Sequence, residues 1–221
     1  MSFMKEVING SIDIWNRYLE HPFIRELALG TLDEEKFKGY IIDDSIYLRE
    51  YARIFAYAMY KSKRMADIQL FYNILSFVNE SENYTRIYYL QKFGLTQEQV
   101  EEMEARPENK AYIAFMRNIV LNHEIPEILM AVLPCMLSYK YIAENVFKPV
   151  SHRKDNPYWE FMKDFLTEEF FNNCAKWYLF AEKKCKNLAA ERKAILLEIF
   201  RSSSEHELQF WDMSYRKRKI M

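Results

Sequence analysis

Glycine and proline are scarce in this chain, whose 221 residues include four glycines and six prolines. An all-β or α/β protein of this length needs many more turn residues to join its strands. Apolar residues instead recur at helical spacing along most of the sequence. Composition and periodicity together predict an all-α protein built from long helices with few connections.

Paired cysteines and long apolar runs are also lacking. The three cysteines, Cys135, Cys174 and Cys185, are odd in number and outside any CxxC pair, which argues against a disulfide framework or a structural zinc. The first fifteen residues carry acids where a signal peptide needs an unbroken apolar core, and no run of eighteen apolar residues occurs. We therefore expect a cytoplasmic protein without a membrane span.

Neither sign of charge dominates, because 31 Lys and Arg stand against 32 Asp and Glu. No nucleic-acid or acidic-lipid partner is therefore expected. The one basic run, Arg216–Lys219, is short and terminal, and we interpret it as a solvated end.

Hydrophobic periodicity predicts about eight helices in a single all-α domain over residues 1–221. Thr31 is predicted to cap the second helix, with Glu34 completing a capping box, and residues 148–157 are predicted to form a polar loop. The predicted helices span approximately residues 3–20, 32–61, 65–93, 97–104, 110–121, 126–145, 158–186 and 188–215.

The stretch Glu127–Asn145 is apolar on nearly every face, which is typical of a helix buried on most sides. Pro134 deprives the Met130 carbonyl of its helical partner and predicts a bend there. Cys135 and Tyr139, four residues apart, share the face that follows the bend. A buried cysteine is most often a small hydrophobe and a tyrosine a packing residue, so this pair alone does not establish a pocket.

Acidic residues interrupt two otherwise apolar helices. On the second helix Asp44 shares a face with Tyr47 and is interpreted as a candidate pocket carboxylate, whereas Asp43 is interpreted as solvated. On the last helix Glu207 lies three residues before Phe210, which places an acid beside an aromatic wall.

Residue spacing excludes several catalytic classes. A carboxylate-bridged di-metal centre needs Glu-x-x-His pairs, and none of the four histidines has a glutamate three residues before it. HExxH, Walker and GxGxxG patterns are absent, and no histidine is spaced to serve as base for a cysteine. We therefore expect neither a metal nor a cofactor.

A thiol, many tyrosines and several acids, including Glu82 on the third helix, remain as candidate groups. A thiolate can add to an electron-poor carbon while a glutamic acid protonates the nitrogen where charge accumulates. A free thiol has a pKa of about 8.5 and needs local activation. A cavity aspartate would accept hydrogen bonds from an exocyclic amine, and aromatic side chains would sandwich a flat ring.

Short motifs follow one another along nearly the whole chain. They are His21-Pro22-Phe23, Gly30-Thr31-Leu32, Phe37, Tyr40, Asp44-Ser45-x-Tyr47-Leu48, Ala111-Tyr112, Glu127-Ile128-Leu129, Leu133-Pro134-Cys135 with Tyr139, and Ser204 followed by Glu207–Arg216. Each motif is weak alone, but their order and spacing resemble the TenA family. Its members are thiaminase II or aminopyrimidine aminohydrolases with a haem-oxygenase-like fold.

The resemblance implies a role for each matching residue. Cys135 would be the nucleophile that adds to the pyrimidine ring, Glu207 the acid and base, and Asp44 the residue that holds the aminopyrimidine edge. The implied reaction replaces the amine on the 5-methylene of a 4-aminopyrimidine and gives hydroxymethylpyrimidine for thiamine salvage. Family members also cleave thiamine more slowly and are commonly tetramers. The other pocket residues would be Tyr47, Tyr112, Tyr139, Phe210 and Phe165.

Two positions depart from the family pattern. Phe165 stands where relatives usually have a tyrosine, and the loss of one hydrogen bond would raise the barrier by about one to a few kcal/mol. Arg86 stands where relatives often have a histidine. One alternative is therefore a catalytically weak pyrimidine-binding protein, which predicts binding with background turnover. Another is a regulatory or scaffolding protein on the same fold, which predicts no pyrimidine binding.

Overall fold

The computed structural model describes residues 2–219, except for the side chains of residues 76–83. Eleven α-helices and no strand form within residues 2–219, which confirms the all-α prediction. The helices are α1 (Phe3–Asn9), α2 (Ile12–Glu20), α3 (Pro22–Leu29), α4 (Glu34–Lys61), α5 (Met65–Lys92), α6 (Gln97–Glu101), α7 (Pro107–Asn122), α8 (Ile125–Ile142), α9 (Trp159–Asp164), α10 (Glu168–Cys185) and α11 (Ala190–Tyr215). A π-helical turn, Ala143–Phe147, and a 3-10 turn, Lys148–Val150, continue α8.

More helices form than the eight or so that periodicity predicts, because short breaks divide two of the predicted helices and because α3 forms between the first two of them. The helix predicted over residues 3–20 is divided at Gly10 and Ser11. The Gly10 N–H closes α1, and α2 begins after Ser11. The helix predicted over residues 158–186 divides at Phe165, and Thr167 caps α10 through a side-chain hydrogen bond. The second break places Phe165 at a junction between helices rather than inside one.

The start of α4 also differs from the prediction, because Asp33 rather than Thr31 is its cap. The Asp33 carboxylate accepts hydrogen bonds from two N–H groups of the first turn, at 3.0 and 3.3 Å. Thr31 instead completes the end of α3, where Gly30 adopts a left-handed φ of 76° and the Thr31 N–H donates to the Glu26 carbonyl. A left-handed glycine redirects the chain, so the residue after it closes the preceding helix.

Helix α8 lies at the centre of the fold. It packs against α4, α7, α10 and α11, and most of its residues are buried. Its length and composition alone would also suit a membrane span, but 72% of the apolar window within Ile125–Val150 is buried inside the protein. This apolar helix is therefore covered by other helices and forms the middle of the core.

Asp43, interpreted as solvated, is buried. The basic run, interpreted as a solvated end, is solvated only in part, because the side chains of Arg216 and Lys217 are exposed and that of Arg218 is buried. Asp43 is 0% exposed and forms ion pairs with Arg106 and Arg218. The basic run Arg216–Lys219 folds back against α4 and α7. Within the described part of the chain, its first three residues each form an ion pair, and Lys219 forms none. One reason accounts for both differences: Arg106 and Arg218 replace the water around the Asp43 carboxylate, which allows this carboxylate and the side chain of Arg218 to be buried together. The candidate acid Glu82 lies outside the described side chains.

Candidate active site

Pro134 interrupts the hydrogen bonding of α8, and side chains from other helices bond to carbonyls beside the gap. Tyr51 of α4 donates its hydroxyl proton to the Val132 carbonyl at 2.8 Å. Ser203 of α11 donates to the Ala131 carbonyl at 2.7 Å. Helix α8 continues through the proline as one helix, and the carbonyls that follow Met130, the one that Pro134 leaves without its helical donor, bond to two other helices.

A cavity opens beside Cys135, between α4, α5, α8, α9 and α10. Four of the predicted site residues line it, namely Asp44, Cys135, Tyr139 and Phe165. Asp44 and Cys135 are only half-buried, and they share this cavity. Aromatic and aliphatic side chains form most of the remaining wall, and the other polar residues on it are Thr85, Arg86, Asp164 and Asn173.

Glu207 of α11 lies beside Cys135 and belongs to a chain of hydrogen bonds. The Cys135 side chain interacts with the Glu207 carboxyl, and the Tyr112 hydroxyl lies 2.8 Å from Glu207 Oε1. Tyr112 also lies 3.0 Å from the hydroxyl of Ser203, which donates to the Ala131 carbonyl. Because Ala131 lies about one turn before Cys135, the chain closes on the helix from which it starts.

The number of available protons indicates which state of Glu207 satisfies this chain. The hydroxyls of Tyr112 and Ser203 supply one proton each, but the contacts Glu207–Tyr112, Tyr112–Ser203 and Ser203–Ala131 need three. With Glu207 ionised, one contact has no proton. With Glu207 protonated, the carboxyl donates to Tyr112, Tyr112 to Ser203, and Ser203 to the carbonyl. The ionised acid accepts the Tyr112 proton at the cost of the contact between Tyr112 and Ser203, so the chain has a different arrangement for each ionisation state of Glu207.

Two acids of the site ionise near neutral pH. Burial raises the pKa of Glu207 to about 7; the Tyr112 hydrogen bond opposes this rise, nearby Asp44 adds to it, and the Cys135 hydrogen bond opposes it. Burial likewise raises the pKa of Asp44 to about 7, where the positive charge of Arg86 opposes the rise and Asp43 adds to it. A carboxyl group with such a pKa can both accept and return a proton at neutral pH.

An aromatic layer, whose residues are outside the cavity lining, adjoins Glu207. The Tyr47 ring centroid lies 5.1 Å from that of Tyr112 and 5.8 Å from that of Phe210. All three side chains are buried, so they keep water from the Glu207 carboxyl. The layer therefore contributes to the burial that raises the pKa of this acid.

A second aromatic group lies on the cavity wall itself. Tyr139 and Phe165 have ring centroids 4.7 Å apart, and the Tyr139 hydroxyl lies 2.7 Å from that of Tyr40. Tyr40 also contacts Phe210 at a centroid distance of 6.1 Å, which joins the two aromatic groups. The structure thus brings all eight predicted residues into one connected cluster, while their individual roles stay predictions.

Two members of this cluster were not assigned to the site from the sequence. Ser203 lies four residues before Glu207, so same-face spacing on α11 is a signal that would have found it. Thr85 lines the cavity from α5, and no spacing in the sequence relates it to Cys135. Only the packing of α5 against α4 brings Thr85 to this site.

Comparisons with known proteins cover nearly the whole chain. A model described as the TENA/THI-4/PQQC family matches residues 12–217. A protein of Halalkalibacterium halodurans named aminopyrimidine aminohydrolase is 30% identical over 220 residues, which are 99% of this chain and 97% of the relative. The match therefore extends over both proteins and not over one shared segment.

Solved structures agree with this result. A TenA homologue from P. horikoshii OT3 has a TM-score of 0.88 at 29% identity, with 99% of this chain and 100% of the other covered. A domain of unknown function from Shewanella denitrificans, described as having a heme oxygenase-like fold, has a TM-score of 0.74 at 15% identity, with 96% and 91% covered. The predicted haem-oxygenase-like fold is confirmed.

Replacing Asp44 by asparagine is expected to stabilise the protein at alkaline pH. The pKa of this carboxyl is about 7 in the folded protein and near 4 in an unfolded chain, so its ionisation opposes folding increasingly as pH rises between these values. The same sign applies to Glu207. The melting temperature of the wild type should fall between pH 5 and pH 8, and calorimetry should show a smaller fall in Asp44→Asn and in Glu207→Gln.

Asp155→Asn serves as the control, because Asp155 is exposed. This variant should keep the wild-type dependence of melting temperature on pH. Identical curves for wild type and Asp44→Asn would contradict the raised pKa of Asp44.

Proposed function

The chain belongs to the TENA/THI-4/PQQC family, and on that premise we propose that it is an aminopyrimidine aminohydrolase, or thiaminase II. The proposed reaction replaces the amine on the 5-methylene of a 4-aminopyrimidine by a hydroxyl group and gives hydroxymethylpyrimidine for thiamine salvage. One observation carries the proposal. Cys135 and Asp44 line one cavity, and the Cys135 side chain interacts with a buried glutamate, Glu207, whose pKa is raised to about 7.

The first proposed step forms a bond between the Cys135 sulfur and an electron-poor carbon of the pyrimidine ring, while the Glu207 carboxylate accepts the thiol proton. The interaction between the two side chains supplies the path for this proton. A carboxyl pKa of about 7 lies close to the ordinary thiol pKa of about 8.5, so the transfer is nearly balanced in free energy.

The remaining steps return this proton. Addition of sulfur moves an electron pair onto a ring nitrogen, which Glu207 protonates. The amine, protonated as R–NH3+, then leaves the methylene carbon as ammonia, expelled by the lone pair of this ring nitrogen. Water adds to the methylene carbon and releases one proton to solvent, and the ring nitrogen returns its proton to Glu207, which passes it back to the sulfur. Departure of the Cys135 thiolate restores the aromatic ring, so that amine and water have become alcohol and ammonia.

Asp44 and the aromatic side chains are proposed to bind the substrate. The Asp44 carboxyl lines the cavity together with Cys135, so it can accept hydrogen bonds from an exocyclic amine while the ring lies near the sulfur. Tyr139 and Phe165 provide a flat apolar surface on the same cavity. The further ring-binding residues in this proposal are Tyr47, Tyr112 and Phe210.

The proposal also covers the setting in which the protein works. We take it to be a cytoplasmic, single-domain enzyme without a cofactor, with a small pyrimidine as ligand and neither nucleic acid nor membrane as partner. Its cysteines are free thiols, as a reducing compartment would keep them. A homotetrameric assembly and slow cleavage of thiamine are further parts of the proposal, and both come from the family resemblance.

A catalytically weak pyrimidine-binding protein is the second candidate, and Phe165 favours it. This side chain lies on the cavity wall and contacts the ring of Tyr139, but it has no hydroxyl group to orient a thiol or a water molecule. Binding groups such as Asp44 would be kept in this case, and only the rate would be low.

Replacing Cys135 by serine is expected to lower the rate of hydroxymethylpyrimidine release at least about 100-fold. A serine hydroxyl stays protonated at neutral pH and is a much weaker nucleophile than a thiolate. The rate is measured by chromatography with 4-amino-5-aminomethyl-2-methylpyrimidine as substrate. Cys185→Ala is the control, because Cys185 is buried away from the cavity, and it should retain turnover. Equal turnover in wild type and Cys135→Ser would remove the thiol from the mechanism.

Replacing Ser203 by alanine is expected to move the acid limb of kcat/KM to lower pH by about one unit, the equivalent of one hydrogen bond. Without Ser203, the Tyr112 hydroxyl has its proton free for the Glu207 carboxylate, so the pKa of Glu207 falls. Because the proposed first step needs this carboxylate, activity should persist further into acid, as a pH profile of kcat/KM would measure.

Ser204→Ala is the matched control for Ser203→Ala. The hydroxyl of Ser204 bonds to Trp15 and to the Phe200 carbonyl, away from Tyr112, so its loss should leave the acid limb in place. An unmoved limb in Ser203→Ala would show that the hydroxyl chain does not set the ionisation of Glu207.

Replacing Phe165 by tyrosine separates the two candidate functions. If the missing hydroxyl limits the rate, Phe165→Tyr should raise kcat about tenfold, while the shift in melting temperature produced by the pyrimidine stays the same. A wild type that turns over rapidly and gains nothing from the tyrosine would eliminate the weak-binding candidate.

A further inference from the structure

The basic run Arg216–Lys219, called the strap below, crosses α4 after the end of α11. Arg216 forms an ion pair with Glu108 of α7, and its carbonyl accepts a hydrogen bond from Arg106 at 2.9 Å. Lys217 Nζ lies 2.8 Å from a carboxylate oxygen of Asp33, the cap of α4. The strap is therefore joined to both helices along its length.

Arg218 is the inner residue of the strap. Its side chain is 8% exposed, whereas that of Lys217 is 59% exposed. The Arg218 guanidinium bonds to Asp43 Oδ1 and donates to the Glu104 carbonyl. A long cationic side chain with so little exposure is an anchor and not a solvated end.

Gly39 leaves the space that this anchor needs. A Cβ atom added to Gly39 would lie 3.0 Å from the Arg218 Cβ and 3.4 Å from its backbone nitrogen. Glycine inside a helix is less favourable than alanine, and Gly39 lies within α4. The close approach of the strap explains why a glycine stands at this position in the helix.

Asp43 is the group that the strap holds. Its side chain is 0% exposed, and Oδ2 accepts a hydrogen bond from Arg106 Nε at 2.7 Å. The backbone carbonyl of Asp43 accepts a further bond from the Asn109 side chain at 2.8 Å. Two arginines and one asparagine thus fix both the side chain and the backbone of α4 at this residue.

Asp44 follows Asp43 in α4, and consecutive helical residues point about 100° apart. Asp43 faces the strap, while Asp44 lines the cavity with Cys135. A rotation of α4 about its axis would move both carboxylates together. Whatever holds Asp43 therefore also holds the direction of Asp44.

We propose that Arg218 is a positioning residue, which fixes Asp43 from outside and so aims the Asp44 carboxyl at the ligand in the cavity. This inference rests on the proposed function for the identity of that ligand. The geometry of the strap, Gly39 and Asp43 does not depend on the reaction.

The test compares Arg218→Met with Lys217→Met. Both variants remove one positive charge from the strap, but only Arg218 contacts Asp43. Arg218→Met should raise KM for 4-amino-5-aminomethyl-2-methylpyrimidine about tenfold and change kcat less than about threefold, because Cys135 and Glu207 stay in place. Lys217→Met should leave both constants unchanged, and Arg218→Lys should restore part of the affinity.

Gly39→Ala tests the same contact without changing any charge. The added methyl group would push the strap from α4, so KM should rise as it does in Arg218→Met. Loss of the Arg218 side chain also leaves the buried Asp43 carboxylate with Arg106 as its one cation, so the melting temperature of Arg218→Met should fall. The double variant Asp43→Asn/Arg218→Met removes both charges; it should recover the melting temperature and still show a raised KM.

A second measurement does not depend on turnover. In protein labelled with ¹³C at aspartate carboxyl groups, Asp44→Asn identifies the Asp44 signal. This signal should move in Arg218→Met and in Gly39→Ala but not in Lys217→Met. Absence of turnover in the wild type together with this pattern would refute the proposed function and support the strap. An unmoved Asp44 signal in a folded Arg218→Met protein would overturn the positioning role.

Discussion

The chain of hydrogen bonds that runs from the Glu207 carboxyl through the hydroxyls of Tyr112 and Ser203 to the Ala131 carbonyl is the interaction on which the site depends. It joins α11 and α7 to α8, the central helix, about one turn before Cys135, whose side chain interacts with Glu207. Pro134 removes the helical donor to the Met130 carbonyl, which is next to Ala131. A serine of α11 thus enters the hydrogen-bond chain beside the point at which the proline disturbs the helix.

The two acids with raised pKa values lower the stability of the folded protein at neutral pH, although the proposed chemistry needs them. Asp44 and Glu207 each have a pKa of about 7, because desolvation disfavours their charged forms. A fold without a use for these protons would gain stability from neutral side chains at both positions. Such a conflict is characteristic of functional sites, where a strained or costly group persists because the surrounding packing holds it.

The two adjacent aspartates of α4 show how direction decides the environment of a residue. Asp43 is enclosed by two arginines and ion-paired, whereas Asp44 faces a largely apolar cavity. The charge of Asp43 contributes to the rise in the pKa of Asp44, and Arg86 opposes it. The environment of the site thus extends to the outer surface of α4, where the strap lies.

Sequence alone determined the helical class, because scarce glycine and proline and a period near 3.6 are local properties. It also identified a face on each of three helices, through the spacings Asp44–Tyr47, Cys135–Tyr139 and Glu207–Phe210. Only the tertiary structure decided what covers those faces. Periodicity reports which side of a helix is apolar, but the partner that meets a polar side chain comes from a distant part of the chain. For that reason the sequence predicts that Asp43 and Arg218 are solvated, whereas the structure pairs them with each other. Likewise, only the packing of α7 against α11 places Ser203 beside Tyr112.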